Sequence, residues 1–158
     1  MNMHMRAIMG CIILGISLMI SACGGNTSAP TARGSVVFEI GSDGDTLTFK
    51  PNALNVSAGQ QVTIVVKDNS SSLQHNWVLI RGGANVAQKI ATAGLTAGAD
   101  KNYLLNDPAN IIANSPLLSA GQTADVTFTA PEAGTYIFIC TVPVHFPQMQ
   151  GVLTVSEH

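Results

Sequence analysis

The chain has 158 residues, 46% apolar and 10% charged, a length and balance that suit one domain with a single buried core. A formal net charge of −2 with seven Lys and Arg leaves no basic footprint, which argues against nucleic acid as a partner. Part of the apolar content is concentrated at the N-terminus and inflates the average.

Residues 1–22 have the form of an export signal. Arg6 supplies positive charge, an apolar run extends from Ala7 to Ile20, and Ile20-Ser21-Ala22-Cys23 closes it with small residues before a cysteine. The run is short for a membrane span, which needs roughly 20 apolar residues. The tetrapeptide resembles the lipobox of bacterial lipoproteins, which implies cleavage before Cys23 and a lipid on its sulfur. A plain secretory signal with a free Cys23, or an uncleaved anchor, are the alternatives. Residues 23–34 continue as Gly-Gly-Asn-Thr-Ser-Ala-Pro-Thr-Ala-Arg-Gly after Cys23, small and polar without apolar period, and read as a flexible tether. The expected location is extracytoplasmic, lipid-anchored to the cell membrane on its periplasmic or outer face.

Residues 35–158 form the expected folded domain. Short β-branched and aromatic runs predict strands over Ser35 to Ile40, Thr46 to Phe49, Ala53 to Val56, Gln61 to Lys67, Asn76 to Arg81, Thr123 to Ala130, Thr135 to Cys140 and Gly151 to Val155. Alternation at Val62, Ile64, Val66 and at Val126, Phe128 suits sheets with one buried face. The number and spacing of these runs predict an all-β fold, an antiparallel Greek-key sandwich. Between Gly83 and Gln122 the rhythm breaks, and Val86 to Ala91 and Ala99 to Leu105 predict one or two short helices inserted as a flap.

Of the three cysteines, Cys11 lies in the apolar run and Cys23 at the lipid position, so Cys140 is the domain's one thiol and no disulfide can form within it. A lone thiol in an oxidising compartment invites oxidation unless something occupies it, and a bound metal would do so. Cys140-Thr141-Val142-Pro143-Val144-His145-Phe146-Pro147-Gln148-Met149 offers a thiolate, an imidazole and a thioether, and His75-Asn76-Trp77-Val78-Leu79 adds a second imidazole. That set suits a mononuclear blue-copper site: thiolate and neutral imidazole serve both copper oxidation states, and a weak thioether favours the softer reduced ion. Zinc would want more thiolates or histidines in a closed set. Nucleophilic catalysis by Cys140 with His145 would need an orienting third group and a substrate pocket. An oxidase would need further copper centres, so no enzyme activity is expected.

These motifs make the domain resemble the azurin-type cupredoxins, and among them the auracyanins, lipid-anchored or membrane-associated proteins of filamentous phototrophic bacteria. The resemblance covers about residues 35 to 157 and is carried by His75-Asn76-Trp77-Val78-Leu79, Asp100-Lys101-Asn102-Tyr103-Leu104, Val126-Thr127-Phe128, and Cys140-Thr141-x-Pro143 with His145 and Met149-x-Gly151-x-Leu153-Thr154. It implies His75, Cys140 and His145 as equatorial ligands of one copper ion cycling between Cu(I) and Cu(II), Met149 as axial ligand, and a distant backbone carbonyl from Gln74. It also implies that the N–H groups of Asn76 and Val142 point at the Cys140 sulfur, and that the Asn76 side chain ties the two ligand segments together.

The implied function is outer-sphere transfer of single electrons between respiratory or photosynthetic partners, such as cytochromes or membrane cytochrome complexes, by a monomer. His145 would reach the surface through an apolar docking patch of Val142, Pro143, Val144, Phe146 and Pro147. Trp77 and Tyr136 are expected to pack the core. Two residues depart from the family: Val144 stands where Gly is usual, and Pro147 where small or flexible residues are. Should that Gly need positive φ, Val144 is expected to force a different loop path and alter the Met149 distance, with Gln148 or Gln150 as alternative axial donors. The competing function is copper handling by an extracytoplasmic lipoprotein. Of the six methionines five precede residue 20, so a Met-rich transfer surface is missing from the domain.

Overall fold

The structure, a computed structural model, describes residues 34–157. The export signal and Cys23 lie outside the described residues, as does the tether apart from Gly34. In chain order the elements are β1 (Val36–Asp43), β2 (Thr46–Lys50), β3 (Ala53–Ser57), β4 (Gln61–Lys67), β5 (Gln74–His75), β6 (Val78–Ile80), α1 (Ala84–Ala97), a 3-10 turn (Ala99–Lys101), β7 (Ile111–Asn114), β8 (Leu118–Ser119), β9 (Thr123–Thr129), β10 (Gly134–Ile139) and β11 (Gln150–Ser156).

One sheet has the order β2-β1-β4-β9 and the other β3-β11-β10-β6-β7, with β5 and β8 paired separately. The expected Greek-key sandwich with a helical insert is present. Its sheets are mixed rather than purely antiparallel, because β1 pairs parallel with β4 and β3 parallel with β11. The chain leaves the first sheet through β3 before returning as β4, so these neighbours are joined by crossovers and no hairpin dictates their direction.

Period-two alternation places the core. Val62, Ile64 and Val66 of β4 and Val126 and Phe128 of β9 face inward from the first sheet, and Leu54 of β3 and Leu153 of β11 from the second. Trp77 is fully buried, with ring centroids 6.1 Å from Phe128 and 5.7 Å from Phe138, and so packs the core as expected. Tyr136 is half-buried against the same core and donates its hydroxyl to Glu132 O at 2.9 Å. Gly151, the second residue of β11, sits where a Cβ would overlap the Phe138 ring and Asn52 O, so only glycine lets these strands close.

The flap carries the expected helix over Val86–Ala91, made longer, and only a 3-10 turn at the second stretch. α1 runs well beyond Val86–Ala91, and Gly94 lies inside it. A Cβ there would overlap Tyr103 O and press on Thr141 O, so the helix rests on the ligand loop at this glycine. Ala87 and Ile90 of α1 bury against Val78, Ile80 and Ile139, with Phe146 packed alongside. The segment Ala99 to Leu105 forms only the short 3-10 turn, because Asn102 and Tyr103 take positive φ and end it.

Candidate metal centre

The expected strand Asn76 to Arg81 is interrupted at its start, and the interruption builds half the site. β5 pairs with β8 through Gln74 opposite Ser119 and His75 opposite Leu118. Gln74 is exposed and its side chain donates to Ser119 Oγ at 3.2 Å, which leaves only its main chain to bear on the site. His75 is 2% exposed and Asn76 fully buried. The Asn76 amide donates to Thr141 Oγ1 and Asn102 O, both at 2.7 Å, and accepts from Thr141 N at 2.8 Å. It thus joins the upstream segment, the flap and the ligand loop.

The other half follows β10, whose last residue, Ile139, directly precedes Cys140. Cys140 N donates to Met149 O at 3.0 Å, Met149 N to His145 O at 2.8 Å, and His145 N to Val142 O at 3.1 Å. These bonds fold the loop into one tight turn. Cys140 Sγ lies 3.4 Å from His145 Nδ1, and the His145 and His75 rings are 5.1 Å apart at their centroids. Met149 is fully buried in the cluster that holds Cys140. Gln148 and Gln150 are exposed, and Gln150 donates to Pro147 O at 2.8 Å, so Met149 is the inward-facing side chain of the three.

Val144 takes the turn in its own backbone. It adopts φ +65° itself, a left-handed conformation that is an outlier for a β-branched residue and costs on the order of 1–3 kcal/mol. The loop keeps its turn, and the strain is borne at a residue 87% exposed.

Burial controls the chemistry of the donors. It pushes the Cys140 thiol up to about 12, against which the N–H groups of Asn76 and Val142 act in the opposite sense and the Asp68 carboxylate in the same sense. Burial, with the neighbouring His75, holds His145 down at about 4. The pocket without metal therefore keeps a neutral thiol and a neutral imidazole, and metal binding must expel the thiol proton. Both ring nitrogens of His75 are buried without a well-directed hydrogen bond, although Nδ1 lies 3.1 Å from Asp68 Oδ1. Such orphaned donors fit a metal, and one soft sulfur with two imidazoles fits copper. The donors lie close together but are not drawn in to metal-ligand spacing: among the described residues no group of three His, Cys, Asp or Glu stands at that spacing.

Two residues at the site were not singled out in the sequence. Asp68 is buried with Oδ1 3.1 Å from His75 Nδ1. A single acid seven residues upstream of a histidine carries no signal of such a contact. Leu95 of α1 is 58% exposed and lines a shallow cleft with Val142, Pro143, Val144 and Phe146, extending the predicted docking patch. Within that patch Val144 and Pro147 are exposed, whereas Pro143 and Phe146 are half-buried.

A β-sandwich with one buried thiol, two imidazoles and a thioether at one end defines the class, a domain for a single copper ion. Residues 36–156 match the copper binding proteins of the plastocyanin/azurin family, and the chain belongs to that family as a blue-copper electron-transfer protein of the auracyanin/azurin type. It is 48% identical to auracyanin-A of Chloroflexus aurantiacus over 99% of this chain and all of that protein. It is 34% identical to an azurin of Pseudomonas fluorescens biotype C over 71% of this chain and 92% of that one. The solved structure of auracyanin A, described as a blue copper protein of the same Chloroflexus species, superposes with a TM-score of 0.76 at 56% identity. It covers 77% of this chain and 99% of that chain.

Proposed function

We propose that the protein is a membrane-tethered carrier of single electrons between respiratory or photosynthetic redox partners, with His75, Cys140, His145 and Met149 holding one copper ion. The observation that carries this reading is a donor set at 0–6% exposure lying directly beneath an exposed apolar loop. Copper, when bound, supplies the Cu(I)/Cu(II) couple. The chain's own residues do the rest. Asn76 locks the two donor segments together, the N–H groups of Asn76 and Val142 face the sulfur, and the close-packed core excludes water from it. A rigid, dry site changes little between oxidation states.

His145 is 6% exposed and is flanked by Val144 and Pro147 on the surface, with Leu95 beside them. An apolar contact of this kind suits weak redox encounters, which bury less than about 1,200 Å² and separate quickly. The partners are cytochromes or membrane cytochrome complexes, and the protein acts as a monomer without catalytic turnover of its own. A copper-handling protein would favour a more open and exchangeable site than these enclosed donors. The lipobox-like Ile20-Ser21-Ala22-Cys23 supports a lipid on Cys23 and attachment at the extracytoplasmic face.

Phe146 packs into the cluster under α1, so Val144 is the cleaner probe of docking. Val144→Glu is expected to slow electron exchange with a cytochrome at least about tenfold, the factor that 1.4 kcal/mol produces, with the visible spectrum unchanged. An unchanged rate would remove this face from the reading. For the anchor, Cys23→Ser is expected to move the protein from the membrane to the soluble fraction. Full retention on the membrane would contradict the tether.

A further inference from the structure

Asp68 follows directly on β4 and is 2% exposed, although carboxylates are seldom fully buried without partners. Its Oδ1 accepts from Ser70 Oγ at 2.6 Å, Ser70 N at 3.0 Å and Ser42 Oγ at 3.3 Å. Its main chain is pinned as well, with N donating to Gln122 O at 2.9 Å and O accepting from Gly121 N at 2.8 Å. Ser42 of β1 is itself buried and accepts from Asn69 N at 2.8 Å. The carboxylate is therefore fixed from β1, from the end of β4 and from the turn before β9.

This well-held group is still incomplete. Its Oδ2 has no hydrogen bond, and neither do the two nitrogens of the His75 ring that it faces. Among the described residues Lys67 pairs with Glu39 and Lys50 with Asp43, while the basic group beside Asp68 is the His75 imidazole, its Nδ1 3.1 Å from Oδ1. A buried carboxylate requires compensation, and the imidazole is the group placed to give it.

We infer that Asp68 is the positioning residue of His75, its carboxylate taking the N–H of whichever ring nitrogen does not bind copper. This bond fixes the tautomer and direction of the ring and makes the imidazole a stronger donor. The inference rests on the copper-site reading above and adds to it a carboxylate anchor for the upstream ligand. Because Cu(II) carries more charge than Cu(I), the carboxylate favours the oxidised ion and lowers the reduction potential. A carboxylate that merely tied β1 to the loop would still act on the copper through its charge, but it would leave the His75 ring N–H free to exchange, so that N–H is the readout specific to positioning.

The test compares the full chain, copper-loaded, with its Asp68→Asn variant. Asn keeps the oxygen that accepts from Ser42 and Ser70 but loses the carboxylate. Cu(II) affinity is expected to fall about 10–100-fold while Cu(I) affinity changes little, and each tenfold difference raises the potential by about 59 mV. The blue absorption should persist. Affinities within twofold of the parent and an unshifted potential, with that absorption intact, would overturn the role of Asp68 and leave the copper site standing. A parent protein that stays colourless with copper would overturn the site and the inference together. Should the variant not fold, the parent decides the matter: in the reduced protein with isotope-labelled histidine, the His75 ring N–H should be protected from exchange and correlate with the Asp68 carboxyl carbon. A freely exchanging N–H would contradict the proposal.

Discussion

Between Cys140 and Met149 the chain keeps three of its four donors in one turn closed by its own main-chain hydrogen bonds. From Asp68 to Trp77 it contributes one donor, His75, in a segment held by side chains from elsewhere: Ser42 of β1 on Asp68, Thr141 of the ligand loop on Asn76, and Ser115 from beyond β7, whose Oγ accepts from Trp77 N at 2.9 Å. The first segment relies on covalent spacing and tolerates a strained, exposed Val144. The second relies on a buried polar network, where losing a partner inside the protein is costly. A site can therefore be robust in one half and sensitive in the other.

The sharpest way to break this contrast is at Asn76, where the halves meet. Asn76→Ala would leave Thr141 N without its acceptor in the interior, and a loss of about 3 kcal/mol is expected in denaturant unfolding of the metal-free protein. A loss below about 1 kcal/mol, the net worth of one ordinary hydrogen bond, would show that the loop does not depend on the network.

Acid probes the burial of the loop donors more gently. His145 is held at about 4 from an ordinary value of 6.5. Between those values the unfolded chain binds a proton that the folded one excludes, so stability falls as pH drops, by up to about 1.4 kcal/mol per pH unit. Cys140 mirrors this in alkali: its thiol, raised from 9.0 to about 12, ionises first in the unfolded chain, so stability also falls as pH rises between them. Urea midpoints of the metal-free protein across pH check both limbs. A flat acid limb between pH 6.5 and 4 would contradict the burial of His145.

The smallest effect is at Val144. Val144→Gly removes the left-handed strain but adds chain entropy to the unfolded state, and a net gain of about 0.5–1 kcal/mol is expected from calorimetry. A loss would show that the loop accommodates valine without strain.

The same division governs what could be read from the sequence. Cys140, His145 and Met149 were legible because their spacing is local, and β4 and β9 because alternation at Val62, Ile64, Val66, Val126 and Phe128 is strong. β7 escaped notice because four half-buried or exposed residues at a sheet edge carry little pattern. The full length of α1 was hidden because turn residues are scattered between Gly83 and Gln122, and Gly94 among them serves close packing. Asp68 was illegible for a different reason: its role depends on Ser42, Ser70 and His75 meeting across sheets, and no spacing announces that.

The most direct test of the account is the visible spectrum of the oxidised, copper-loaded protein beside its Cys140→Ser variant. An intense band toward the red, from thiolate-to-copper charge transfer, is expected in the parent and its loss in the variant. A colourless parent, or a band that survives removal of the Cys140 sulfur, would contradict the assignment.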